Sequence, residues 1–158
     1  DVCSSDLLRL DGKQENVLRI IRTGGNLPAD RESLFWLNIK SIPSSERNAN
    51  INTLQIAIKT RIKLLYRPAS ITGNPEDMTT QLSWHTRGNQ LIIENPTPFY
   101  MNFQEIKLNG KKVDKATYAA PKSETVFTTP GNITAHTVSW KIINDYGGIS
   151  QSYSAQIK

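Results

Sequence analysis

Residues 51–68 read INTLQIAIKTRIKLLYRP. This run is longer than the usual strand of about 5–6 residues. Side chains alternate across a strand, so Leu54, Ile56 and Ile58 project to one face, and Thr60, Ile62, Leu64 and Tyr66 continue it. The other face reads Thr53, Gln55, Ala57, Lys59, Arg61 and Lys63. Pro68 ends the ladder, because proline has no N–H to donate. A long strand with one apolar face can serve its own sheet or complete the sheet of another protein.

Working outward, the chain is a succession of strand patterns. Upstream lie ENVLRIIRT (15–23) and SLFWLNIKSI (33–42). The polar stretch PSSERNAN (43–50) reads as the turn that joins the latter to the long strand. Downstream, ASITGNPEDMT (69–79) is rich in breakers and reads as a linker, with one helical turn at 75–78 opened by Pro75. Then come LSWHT (82–86), QLIIEN (90–95), PFYMNFQEIKLNG (98–110), KVDKATYAA (112–120), ETVFTT (124–129), TAHTVSWKIIND (134–145) and SQSYSAQIK (150–158). Asn109-Gly110 is a hairpin signal, since both positions tolerate positive φ. DYGG (145–148) is a further turn. Many short strands with regular turns and no amphipathic helix predict an all-β sandwich. Trp36, Trp84 and Trp140 are expected in a core or an interface.

Composition bounds the class. The 158 residues are 37% hydrophobic and 21% charged, as in a globular rather than a disordered chain. No apolar run approaches the ~20 residues of a membrane helix, so no membrane insertion is expected. The start, DVCSSDLLRLDG (1–12), lacks the basic and apolar regions of a signal peptide. The net charge is +5, and residues 1–68 carry 11 Lys/Arg against 7 Asp/Glu. Most of that excess reads as a solvated strand face. A nucleic-acid surface would interleave cations with exposed aromatics, and only Tyr66 qualifies near the cluster Lys59, Arg61, Lys63 and Arg67. Cys3 is the single cysteine and cannot form an internal disulfide.

Enzyme chemistry finds no foothold. His85 and His136 fall inside predicted strands, and no metal-ligand spacing, glycine-rich phosphate loop or nucleophile elbow is present. No cofactor, metal or catalytic residue is expected. The sequon Asn132-Ile133-Thr134 matters only in a glycosylating host.

Four segments, in order, resemble one family. RIKLLYRP (61–68) is similar to the signature that ends the first domain of the periplasmic pilus (fimbrial) assembly chaperones, PapD/FimC-like proteins. DRESLFWLNIKSIP (30–43) resembles the preceding strand, and NPTPFY (95–100) and INDYGG (143–148) resemble two signatures of the second domain. The resemblance covers roughly residues 8–158. It implies two immunoglobulin-like β-sandwich domains, the first incomplete: 8–68 as the C-terminal half of the first, 69–79 as linker and 80–158 as the second. Residues 1–7 do not match the family and read as a foreign leader. A first domain lacking its early strands would leave apolar surface and strand edges open, inviting self-association.

The resemblance also implies roles. Leu54, Ile56 and Ile58 would insert as a donor strand into a pilin subunit that lacks its own last strand. Alternation alone favours the opposite reading, that they face the chain's own core; the resemblance reverses that order. Lys63 would anchor the subunit's C-terminal carboxylate by a charge-assisted hydrogen bond. The arginine that the family pairs with it has no counterpart here. Five residues separate Lys63 from Ile58, so an ideal strand points the two to opposite faces unless a bulge intervenes. Glu32, Arg67 and Asp145 would form a buried ionic network between the domains, with Arg67 forking two carboxylates. The expected partners are pilin subunits and an outer-membrane usher, with neither nucleic acid nor membrane. The turn at 43–50 resembles the short-loop branch, which serves rod-forming pili. Two other readings stand beside this one: an immunoglobulin-like adhesion module recognising partners through loops, and a basic nucleic-acid-binding β domain.

Overall fold

A computed structural model describes residues 9, 13–15, 17–42, 54, 56–129, 131, 134 and 136–157. The first part is a two-stranded antiparallel sheet of β1 (Ser33–Ser41) and β2 (Ile58–Tyr66). Its register runs without a bulge from Ser33↔Tyr66 to Ser41↔Ile58. Phe35, Leu37 and Ile39 therefore share a face with Ile58, Ile62 and Leu64, while Trp36, Asn38 and Lys40 share the other with Lys59, Arg61 and Lys63.

Two strand expectations are corrected here. The long strand of 51–68 begins, among the described residues, only at Ile58, because β1 ends opposite it and residues 54, 56 and 57 have no strand to pair with. Residues 17–23 of the expected strand 15–23 are not in a strand, and Val17 is 89% exposed. Apolar composition does not hold a strand without a neighbour to take its backbone hydrogen bonds. The turn expected at 43–50 and residues 51–53 and 55 lie outside the described residues.

The second part is a sandwich. One sheet has the order β3 (Ser83–Arg87), β4 (Gln90–Asn95), β8 (Ser123–Thr128). The other has the order β10 (Tyr153–Gln156), β9 (Thr137–Ile142), β5 (Met101–Leu108), β6 (Lys111–Lys112), with β7 (Tyr118–Ala119) also pairing β5. Val138, Trp140 and Ile142 alternate inward from β9 and meet Trp84, Leu91 and Ile93 from the facing sheet. On β5 the inward set is Met101, Phe103, Ile106 and Leu108. The parity shifts because a bulge lies between Phe103 and Glu105. Each large side chain fully buried in this way contributes about 1.5–3 kcal/mol.

The helical turn α1 (Pro75–Met78) forms where the breakers predict it, with the Asn74 side chain accepting from the Asp77 amide at 2.9 Å. Asn109 and Gly110 have φ of 46° and 82°, the geometry of a two-residue hairpin between β5 and β6. Trp84 and Trp140 lie in the core with ring centroids 4.8 Å apart, and the Trp140 indole donates to Thr79 at 2.8 Å. Trp36 is not in that core: it is 40% exposed, and the Arg61 guanidinium lies 4.1 Å over its ring. No helix of the described residues is long and apolar enough to cross a membrane.

Candidate functional site

The register of the hairpin builds the first half of the site. Because Ser33 pairs with Tyr66, Glu32 and Arg67 emerge side by side at the end of the two strands. Arg67 Nε donates to Glu32 Oε1 at 2.8 Å. The other carboxylate oxygen of Glu32 accepts from the Tyr100 amide at 2.7 Å, and the Glu32 amide donates to the Pro98 carbonyl at 2.9 Å. The Arg67 fork closes on Asp145, Nη1 and Nη2 each donating at 2.7 Å, and the guanidinium stacks 4.7 Å from the Phe99 ring centroid. Hydrogen bonds to Asp145, opposed by burial and aided by Glu32, hold the Arg67 cation above the ordinary arginine value. The three groups set in distant segments by the resemblance therefore meet. Glu32 is fully buried, but the Asp145 side chain keeps 36% of its exposure, so only one of the two carboxylates fits the expectation of a buried network.

Two loops supply the second half. In NPTPFY, the buried Asn95 side chain donates to the carbonyls of Phe99 and Ala119 at 2.8 and 3.3 Å. Its oxygen accepts from the amide and hydroxyl of Thr97 at 3.1 and 2.7 Å. This local turn aims the Pro98 carbonyl and Tyr100 amide at Glu32. In INDYGG, Asn144 Oδ1 accepts from the amides of Tyr146 and Gly148, and the turn presents Asp145 outward. A Cβ on Gly148 would sit 3.2 Å from the Asn144 amide, so the turn closes best on glycine. A smaller tie flanks the junction: Asp30 accepts from Arg31 and from Lys122 at 2.9 Å, and these two cations hold its carboxyl well below the usual range.

Lys63 lies on the opposite face of β2 from Ile58, as unbroken alternation requires, and no bulge re-aims it. Its ammonium donates to Asn102 Oδ1 at 2.9 Å and sits 4.7 Å over the Tyr118 ring. Asn102 and Tyr118 are themselves a cross-strand pair of β5 and β7. Burial pushes the Lys63 ammonium below the ordinary lysine value. Folding then disfavours the charged form. That penalty is present at neutral pH and fades as pH rises through the lowered value. Lys63→Met is accordingly expected to leave the urea midpoint at neutral pH unchanged or raised, with the difference shrinking toward high pH. A clear fall in the midpoint would mean that the ammonium supports the fold.

Leu54, Ile56 and Ile58 are 88%, 67% and 62% exposed. Ile58 opens β2, whose outer edge pairs with no strand among the described residues. The apolar face that continues from it, Ile62 with Phe35 and Ile39, is also open. Among the described residues no group of three or more His, Cys, Asp or Glu could hold a metal. The sequence reading missed Asn95, Phe99, Asn102, Tyr118 and Asn144 as positioning groups. The Asn-Pro-Thr and Asn-Asp-Tyr-Gly-Gly turn patterns carried a signal for Asn95 and Asn144; nothing local marked the other three.

Residues 2–72 match the family described as pili and flagellar-assembly chaperone, PapD N-terminal domain, and residues 77–154 match the pili assembly chaperone PapD C-terminal domain. The first match takes in part of the stretch 1–7. The chain is 40% identical to the chaperone protein caf1M of Yersinia pestis, over 99% of this chain and 67% of the relative. Among solved structures, the E. coli chaperone DraB superposes with a TM-score of 0.75 at 40% identity, over 87% of this chain and 64% of that one. The SafB chaperone, solved with the SafA pilin of Salmonella enterica, superposes with a TM-score of 0.78 at 36% identity, over 86% and 64%. The chain thus spans about two thirds of the length of these relatives. With both domain types matched in order over an all-β, immunoglobulin-like fold, the chain belongs to the PapD family of pilus-assembly chaperones.

Proposed function

We propose that the protein is a periplasmic chaperone that holds pilin subunits by donating residues 52–58 as a strand and passes them to an outer-membrane usher. The observation that carries this reading is the exposure of Leu54, Ile56 and Ile58 beside a sheet edge that pairs with no strand among the described residues. Alternate apolar side chains would fill pockets in the subunit, and backbone hydrogen bonds along the edge would supply affinity. Lys63 would take the subunit's terminal carboxylate, exchanging its neutral partner Asn102 for a charged one. No nucleotide is needed, because replacement of the donated strand by the next subunit supplies the free energy. In this reading 8–68 form the second half of the first domain, 69–79 the linker and 80–158 the second domain. The open apolar face of Phe35, Ile39 and Ile62 favours self-association.

The test is binding of a pilin subunit to the chain and to its Ile56→Asp variant. A carboxylate forced into an apolar pocket costs several kcal/mol, so affinity is expected to fall at least about 100-fold with the fold intact by circular dichroism. Equal binding by the two would reject strand donation and favour recognition through loops.

A further inference from the structure

The face of the hairpin opposite the apolar one carries Trp36, Asn38 and Lys40 from β1 against Lys63, Arg61 and Lys59 from β2. Four of these six positions are cations, and neither strand contains an aspartate or glutamate. None of the four is ion-paired to a carboxylate among the described residues. Lys40 stands directly opposite Lys59, an arrangement that destabilises a strand pair. From Lys59 to Lys63 the strand rises only about 13 Å, so neighbouring charges lie within about one Debye length at physiological salt. A merely solvated face would mix signs and avoid this repulsion. Arg61 packs on Trp36 and Lys63 on Tyr118, which hold two of the cations in place.

We infer that this basic face is a docking surface for an acidic, extended polypeptide segment of the chaperone's client. The inference rests on the subunit-binding reading for where the partner lies, and on charge complementarity for its chemistry. Same-face positions of β2 repeat about every 6.6 Å, which is also the repeat of alternate side chains in an extended peptide. Carboxylates at alternate positions would meet Lys59, Arg61 and Lys63 in turn and relieve the Lys40–Lys59 repulsion. Such a field acts first on the encounter rate and on the choice of partner. A nucleic acid fits less well, because Trp36 is the only aromatic residue on this face of the two strands and Arg61 already lies over its ring.

The experiment titrates the chain with three probes: an amidated peptide alternating Glu and Val, its Lys-for-Glu counterpart, and an oligothymidine of equal charge. Amidation removes the terminal carboxylate, so Lys63 as a carboxylate anchor is not tested. The fluorescence of Trp36, exposed while Trp84 and Trp140 are buried, reports binding. The acidic peptide is expected to bind, with affinity falling at least about tenfold between about 20 and 300 mM salt, and the basic peptide is not. Lys40→Gln with Lys59→Gln is expected to remove that binding while raising the urea midpoint, since the repulsion disappears. Ile56→Ala is expected to leave it unchanged, which separates this result from failure of strand donation. Equal binding of both peptides, undiminished binding by the double variant, loss of binding in Ile56→Ala, or oligothymidine binding as tight as the acidic peptide would each overturn the proposal.

Discussion

Arg67→Ala is expected to destabilise the protein by about 2–4 kcal/mol and to loosen the contact between the hairpin and the sandwich. Breaking a buried ion pair costs about 3–5 kcal/mol, because the remaining charge is left without a partner. The lower figure applies because Arg67 and Asp145 keep about a third of their side-chain exposure, where solvent screens the loss. Glu32 bears most of the effect: its side chain has no exposure and would retain only the Tyr100 amide. Arg67→Lys keeps the charge but loses the fork, and is expected to recover less than half of the difference. Urea unfolding reads the energy, and residual dipolar couplings read the relative orientation of β1–β2 and the sandwich. Stability within about 0.5 kcal/mol of the parent, with unchanged couplings, would mean that the network is a bystander.

Asn95→Ala is expected to cost about 2–4 kcal/mol and to disturb the same junction from the other side. The substitution removes four hydrogen bonds and leaves the Thr97 amide and the Ala119 carbonyl without that partner in a buried loop. Each orphaned buried group costs about 1–3 kcal/mol. The loop also carries the Tyr100 amide to Glu32 and the Phe99 ring to Arg67, so the Arg67 Nε–H resonance should move in the variant. A destabilisation below about 1 kcal/mol, or an unmoved Arg67 signal, would show that Pro96 and Pro98 hold the loop unaided.

Several features could be read before any coordinates. Turns declare themselves locally, because positive φ and side-chain capping depend on one or two residues: Asn109-Gly110 and Asn74-Pro75 fold as their chemistry dictates. The alternation in 137–142 similarly marks which residues of β9 enter the core. The stretch 15–23 was misleading for a physical reason. Its apolar, β-branched composition suits a strand, yet residues 17–23 are not in one, because composition does not say which segment comes alongside to form the ladder. Size alone does not place Trp36, which lies outside the sandwich core with the Arg61 guanidinium over its ring.

The motifs named Glu32, Arg67 and Asp145 from a resemblance, but spacings of 35 and 78 residues carry no geometry of their own. The hairpin register puts Glu32 beside Arg67, and the Asn95 and Asn144 turns bring up the remaining partners. The sequence by itself determined the all-β class, the turns at 74–75, 109–110 and 145–148 and the two-faced character of β2, because each depends on near neighbours and on a period of two. Tertiary structure alone decided where β2 begins, which carboxylate is buried, and that Lys40 and Lys59 share a basic face with Arg61 and Lys63. Those depend on which strand lies alongside, and pairing between distant segments is not written in the local order of residues.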